Sequence, residues 1–528
     1  MFEAIELGRS VEKATFEVEV EQLRADLIEA QRALRGSEVP VIVIVSGVEG
    51  AGKSAVVNRF HGWLDTRGLR TATFFEEGEE ERERPPYWRF WRSLPPRGTI
   101  GMLFGSWYTQ PIVERAFERI DEAEFEHRLR RISEFETMLA RDGALIVKLW
   151  FHLPRDIQTK RLRKQLQEEK EREGKGKKGK GKKGKGKKEK EKKAKKGGKK
   201  EKRAEEDDLS ATLRDYADNY ERFASVSERA IRLSDIGLAP WHLIESTDKR
   251  YRDLTAGKIL LEALRSRLAE GKVSHTTAPH TPAQTSELSG KTVLDTVPLD
   301  YVLDRTDYEV RLKKLRKQIR ALSWRAHEEH RSTVVVFEGW DAGGKGGAIR
   351  RLTGSMDARL YQVIPVAAPT DEERAQHYLW RFWRYLPPAG AVHIYDRSWY
   401  GRVLVERVEG FARPDEWQRA YKEINDFEEQ LTEHGIVVVK FWLHISKEEQ
   451  LRRFEERERV AYKKHKITEE DWRNRERWDD YLAAVNDMVA RTSTGCAPWT
   501  LVAGNDKLAA RIQVLETFAQ RLEAGLKR

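Results

Sequence analysis

Gly339-Trp-Asp-Ala-Gly-Gly344-Lys345 has the G-x-x-x-x-G-K spacing of a phosphate-binding loop. Glycines let the backbone curl until successive N–H groups point at one anion, and a helix after the loop adds its positive end. Gly339, Gly343, Gly344, Lys345 and Gly346 are therefore predicted to hold phosphate, with Lys345 as the mobile cation. Gly346 stands where most such loops carry the Ser or Thr that holds magnesium, which argues against an ordinary GTPase or motor ATPase. Asp341 has two readings: contact with a metal or an incoming phosphate, or a cap for the next helix. Further on, Asp396 closes the apolar run AVHIY and precedes Arg397. An acid there either holds a metal at the phosphates or pairs with Arg397 to tie down the strand end. Arg397 and Arg402 are expected to neutralise a transferring phosphoryl group through their planar donors.

These residues need a frame. Strands are predicted at Thr333–Phe337, Tyr361–Val366, Ala391–Tyr395, Ile436–Phe441 and Trp499–Val502, helices at Asp307–Arg331 and Lys507–Leu522. Strands alternating with helices give an α/β fold with a doubly wound, mainly parallel five-stranded sheet, whose ligands gather at the carboxyl ends of the strands. A charge-dense stretch, Arg452–Arg477, lies where a helical lid would sit. From it Arg453, Lys464 and Lys466 are expected to reach the phosphates and exclude water.

The frame occurs twice. VIVIVSGVEGAGKSAV around Gly47 matches TVVVFEGWDAGGKGGAI around Gly339 at a shift of 292 residues. WRFWRSLPP matches WRFWRYLPP, and KLWFHL matches KFWLHI, in the same register. APWHLIESTDK matches APWTLVAGNDK at a shift of 258, so the first copy carries 34 extra residues. By spelling, Gly47–Ser54 is the more complete loop. Yet Phe104 and Gly105 stand where the second copy has Asp396 and Arg397. The first copy is expected to be inactive. Because WRFWR is present in both, its tryptophans are expected in the core or at a domain contact. Arg381 and Arg384 are open to anion contact, as nucleotide ligands, or to surface pairing.

A chain of 528 residues suits two such domains: 1–271, a linker at 272–292, and 293–528. Its net charge of +11 is concentrated in one place. Gly174–Arg203 carries 18 Lys/Arg and 3 Glu, a net +15 that leaves −4 elsewhere. Nearly devoid of apolar residues, this tract is expected to be disordered, either a solvated insertion or a lure for a polyanion. It offers no stacking aromatics, which argues against sequence-specific nucleic-acid binding. Apolar runs are too short to span a bilayer. The start lacks the pattern of a secretory signal, and Cys496 is the single cysteine. A reducing, cytoplasmic setting is the expectation, with no membrane partner.

Together, EGWDAGGKGGAIRRLTG, AAPTDEERAQHYLWRFWRYLPP, YDRSWYGRVLVERVEGF and KITEEDWRNRERWDDY resemble the polyphosphate kinase 2 family, and the duplicated layout resembles its fused class. The resemblance implies two tandem P-loop kinase-like domains, each with a helical lid. It also implies transfer of a phosphoryl group from inorganic polyphosphate to AMP, giving ADP, with magnesium or manganese, in the C-terminal copy. The positions it marks are Asp341 and Lys345, Asp396 and Arg397, with Arg402 and Glu406 nearby. Glu406 is assigned to the nucleotide and Asp341 and Asp396 to the metal. An ATP-dependent nucleotide kinase and a non-catalytic polyphosphate-binding protein are the rival expectations, and a homo-oligomer is left open.

Overall fold

The computed structural model describes residues 1–74, 76–178, 218–270, 292–460 and 467–527, and along 166 and 168–178 it describes the helix alone. They form two compact units: Met1–Glu76 with Ser93–His275, and Glu77–Arg92 with Thr276–Arg528. The second unit thus includes a short stretch from the first sequence copy, whereas repeat spacing placed the whole of 1–271 in one domain.

In the first unit, β1 (Val41–Gly47), β2 (Leu69–Thr73), β3 (Ile100–Phe104), β4 (Leu145–His152) and β5 (Trp241–Glu245) form a parallel sheet in the order β2-β3-β1-β4-β5. The VIVIV run of β1 is buried throughout, as a central parallel strand covered on both faces requires. Its helices include α1 (Lys13–Arg35), α2 (Lys53–Trp63), α3 (Arg155–Lys178) and α4 (Lys249–Glu270). Helix α3 runs into the Lys-rich tract as far as Lys178, so the first residues of that tract are helical, in contrast to the expected disorder. Lys and Glu are good helix formers once a packed N-terminal part, here with Leu162 buried, has nucleated the helix. The rest of the tract and 271–291 lie outside the described residues.

The second unit repeats the design. Strands β6 (Thr333–Gly339), β7 (Tyr361–Pro365), β8 (Val392–Asp396), β9 (Val437–His444) and β10 (Trp499–Ala503) are all parallel, in the order β10-β9-β6-β8-β7. All five predicted strands are present. Four run further than their sequence signal, because pairing continues past the apolar residues: Asp396 is the partner of Phe337, Leu443 of Gly339 and Ala503 of His444. The helices used below are α5 (Arg305–Glu328), α6 (Lys345–Thr353), α7 (Trp380–Arg384), α8 (Pro414–Glu433), α9 (Lys447–Arg459), α10 (Glu469–Glu476), α11 (Trp478–Thr492) and α12 (Lys507–Gly525). Helices α5 and α12 share a core with the sheet through Leu315, Ile319, Leu515 and Phe518, against Val335, Phe337 and Phe441.

Strand β6 lies between β8 and β9, so the chain order reverses at its carboxyl end and the loop after it faces an open crevice. The tryptophans of WRFWR are structural, as the repeat suggested. Within this unit Trp383 of α7 stacks on Trp91, with centroids 5.7 Å apart and planes 15° apart. Trp383 also meets Phe427 of α8 edge-on. No helix among the described residues is long and apolar enough to cross a membrane.

Candidate active site

Strand β6 ends in Glu338-Gly339, and the backbone then turns tightly over β9. A Cβ at Gly339 would lie 2.6 Å from the Leu443 carbonyl oxygen, so only glycine fits. Gly344, at φ 110°, ends the loop and caps α6. Gly346 is different: a Cβ there would meet nothing within 4 Å, so packing does not forbid the usual Ser or Thr.

Lys345 Nζ donates to the carbonyls of Gly339 (2.6 Å) and Trp340 (3.3 Å), which places its ammonium over the loop. Asp341 is held from two sides. Arg397 Nη2 lies 3.3 Å from its Oδ1, and Asn474 Nδ2 of α10 donates to its Oδ2 at 2.9 Å. The carboxylate faces the crevice and does not cap α6. Asp396 is the last residue of β8, and its carboxylate accepts no hydrogen bond among the described residues. Arg397 follows at φ 65°, in the left-handed region. The carboxylates of Asp341, Glu338, Glu470 and Asp396 outweigh burial and hold its guanidinium above the ordinary arginine pKa. Asp341, Lys345, Asp396 and Arg397, from two loops separated by about fifty residues of sequence, therefore converge on one crevice.

Several assigned residues are engaged elsewhere. Arg453 is only 3% exposed. Its guanidinium donates to Glu449 (2.6 Å) and to the carbonyls of Ala342 (2.9 Å), Gly504 (2.6 Å) and Asn505 (3.0 Å). It pins the phosphate loop to the loop after β10 instead of reaching a phosphate as a lid residue. Arg161 does the same in the first unit, on Gly50, Ser246 and Thr247. Lys464 and Lys466 lie outside the described residues. Arg381 and Arg384 pair with Glu373 and Glu372, each at 3.3 Å, and Arg384 also lies over the Trp380 ring. This is the surface-pairing alternative. Arg402 lies 3.2 Å from Glu406 and 4.5 Å from the Tyr378 ring centroid, so these two assigned residues form a pair.

Three participants were not singled out. Glu338, 5% exposed, accepts from Ser398 Oγ at 2.8 Å and so ties β6 to the turn that carries Asp396 and Arg397. Burial pushes its carboxyl up, against the pull of Lys345 and Arg397. A lone acid closing the run TVVVF was the available signal. Asn474 and Trp478 were hidden in the charged lid. Trp478 stacks on Trp340 of the phosphate loop, with centroids 3.8 Å apart and planes 10° apart. The lid thus touches the loop at both Trp340 and Asp341.

The first unit keeps the loop but surrounds it with different side chains. Lys53 Nζ donates to Gly47 O and also to Glu49 Oε2 at 2.9 Å. Glu49 replaces Asp341, and its extra methylene brings the carboxylate onto the loop lysine. Ser46 replaces Glu338, and Phe104-Gly105 replaces Asp396-Arg397.

The polyphosphate kinase 2 (PPK2) family model matches residues 10–173 and 302–528, most of both copies. The chain belongs to the polyphosphate kinase 2 family. It is 45% identical over 529 residues to the polyphosphate:AMP phosphotransferase of Pseudomonas aeruginosa, covering 100% of each chain. It is 41% identical to the protein of that name from Pseudomonas syringae pv. tomato, over 100% of this chain and 99% of the relative. A crystal structure of a polyphosphate kinase 2 from Pseudomonas aeruginosa PA01 superposes with a TM-score of 0.83 at 43% identity, covering 100% of this chain and 99% of that one. Within this family frame, the two five-stranded sheets are the paired domains that the repeat announced.

Proposed function

We propose that the chain transfers a phosphoryl group from inorganic polyphosphate to AMP, giving ADP, and that the second unit does the chemistry. The observation carrying this reading is the convergence of Asp341, Lys345, Asp396 and Arg397 on one crevice, set against Glu49, Phe104 and Gly105 at the matching places of the first unit. The full-length likeness to proteins named polyphosphate:AMP phosphotransferase supports the choice of donor and acceptor.

The loop N–H groups and Lys345 bind the terminal phosphates of the chain. An oxygen of the AMP phosphate attacks the terminal phosphorus in line, and the P–O bond to the next phosphate breaks. The products are ADP and a chain one unit shorter. Such a transfer needs alignment and charge neutralisation more than covalent catalysis. Arg397, beside Asp341, supplies positive charge where the transferring group passes. Trp478 and Asn474 hold the lid against the loop and exclude water, which favours AMP over hydrolysis.

Asp341 and Asp396 fit a hard divalent cation such as magnesium. Both are oxygen donors, and no cluster of three or more His, Cys, Asp or Glu among the described residues could enclose a metal alone. Magnesium commonly takes one or two carboxylates and completes its shell with substrate phosphate and water. When bound, the ion would neutralise phosphate charge.

The test is a matrix of donors (polyphosphate, ATP) against acceptors (AMP, ADP, GMP, GDP). Wild type is expected to form ADP from AMP and polyphosphate, and Asp396→Asn to lose roughly 100-fold or more in kcat. Turnover with ATP alone, or an active Asp396→Asn, overturns the reading.

A further inference from the structure

Arg402 belongs to the turn Trp399–Val403, which follows Asp396 and Arg397 at the carboxyl end of β8. Its side chain is 16% exposed, and Nε lies 3.2 Å from Glu406. The guanidinium stands over the ring of Tyr378, 4.5 Å from the centroid. Arginine has a long, flexible stem, and its planar cation is attracted to an aromatic face. The ring of Tyr378 gives that cation one place to rest.

Tyr378 is itself braced from behind. Its hydroxyl is enclosed beside the carboxylate of Glu423, and burial, then that carboxylate, pushes the phenol well above its usual pKa. Glu423 projects from α8 and is 5% exposed. One oxygen accepts from Arg419 Nε at 2.8 Å, and the other lies 3.6 Å from His377 Nε2. Burial raises the pKa of Glu423, yet His377, Arg419 and the Tyr378 hydroxyl together draw it below the ordinary value. A buried carboxylate favours a donor beside it, so the far end of the Tyr378 ring is fixed.

The first copy is built differently at the matching positions. Pro85 and Pro86 replace His377 and Tyr378, Gln110 replaces Arg402, and His127 and Arg131 replace Arg419 and Glu423. Glu406 has a counterpart in Glu114, but that carboxylate pairs with Arg128 at 2.6 Å. The five changes occur together, in the copy that also lacks Asp396 and Arg397.

We propose that Tyr378 is a positioning residue for Arg402: its ring, anchored at the hydroxyl by Glu423, holds the guanidinium ready for the phosphoryl group. This rests on the transfer reading above and extends it to the residue that sets one of the cations. A cation ordered before the substrate arrives needs no reorganisation in the transition state.

The experiment compares the full chain with Arg402→Ala, Tyr378→Phe, Tyr378→Leu and the double variant of Arg402→Ala with Tyr378→Leu, in ADP formation from AMP and polyphosphate. Urea midpoints check that each is folded, and Tyr378→Met takes the place of Tyr378→Leu if that one is not. Arg402→Ala is expected to lower kcat roughly 100-fold. Tyr378→Leu is expected to lower it about tenfold, with KM for AMP within about twofold. Tyr378→Phe keeps the ring and should lose at most about threefold. In the double variant the leucine should add less than about twofold to the loss from Arg402→Ala, since no guanidinium is left to position. Added guanidinium ion should restore part of the rate to Arg402→Ala and none to the double variant. Full activity of Tyr378→Leu or Arg402→Ala, losses that multiply in the double variant, or equal rescue with and without the ring overturns the proposal. Failure of wild type to make ADP from polyphosphate would instead sink the functional reading, and the coupling of Tyr378 to Arg402 is then read with whichever donor turns over.

Discussion

Arg397 and Gly105 occupy the same turn in the two copies, after β8 and β3, with φ of 65° and 74°. The first copy meets this left-handed backbone with the residue that adopts it freely. The second places an arginine there, at a conformational cost of about 1 kcal/mol. Ala342 and Gly50 repeat the contrast in the loop, at 59° and 79°. Strain is thus retained where Arg397 meets Asp341, and relieved where that contact is gone.

Arg397→Gly should therefore stabilise the fold by up to about 1 kcal/mol while ADP formation falls roughly 100-fold. Urea midpoints and initial rates measured on one preparation check the opposite signs. A variant that is both less stable and fully active would contradict the assignment. Restoring Gly105→Arg in the first unit should not help, since a Cβ there lies 2.8 Å from the Phe74 carbonyl oxygen.

The two loop lysines should separate cleanly. Lys345→Ala should lower kcat roughly 1000-fold, through loss of the cation at the transferring phosphates. Lys53→Ala should leave the rate within about twofold, because Glu49 already neutralises Lys53. Parallel steady-state assays decide which unit turns over.

Lys440 and Glu428 form a fully buried pair at 2.7 Å, with Tyr400 Oη and the Thr492 carbonyl completing the ammonium's bonds. Burial draws the lysine below its ordinary pKa, opposed by Glu428. Glu428→Gln should cost about 3 kcal/mol or more, since it strands the buried charge. Lys440→Met combined with Glu428→Gln should recover much of that loss, read from denaturant midpoints. Lys148 and Glu136 offer the same test in the first unit, at 2.8 Å.

His444 links the loop to pH. Burial holds its imidazole down at about 4, and neutral Nδ1 accepts from Trp340 Nε1 at 3.1 Å. An unfolded histidine titrates near 6.5, so between about 6.5 and 4 only the unfolded chain binds this proton. The stability contributed here is complete above about pH 6.5 and declines as pH falls toward 4. Thermal midpoints of wild type and His444→Gln from pH 8 to 4 should converge on the acid side. A constant gap between them would refute the linkage.

Much of this protein is local, and local features are legible. Gly339–Lys345 announces a loop by spacing, the apolar runs announce β6 to β10, and exact repeats such as WRFWR announce the second copy, because strand burial and tight turns leave short-range patterns. The loss of Asp396 and Arg397 from the first copy is visible in the same way. What tertiary structure decided is where long side chains end. Arg453 resembles a phosphate ligand in a charged helix, yet its donors are taken by carbonyls from loops a hundred and fifty residues apart in part. Glu49 and Asp341 differ by one methylene, which only the folded loop converts into a lysine paired with a carboxylate or one held by loop carbonyls. Sequence fixes which groups exist and their local backbone. Packing at long range decides which of them remain to meet a ligand.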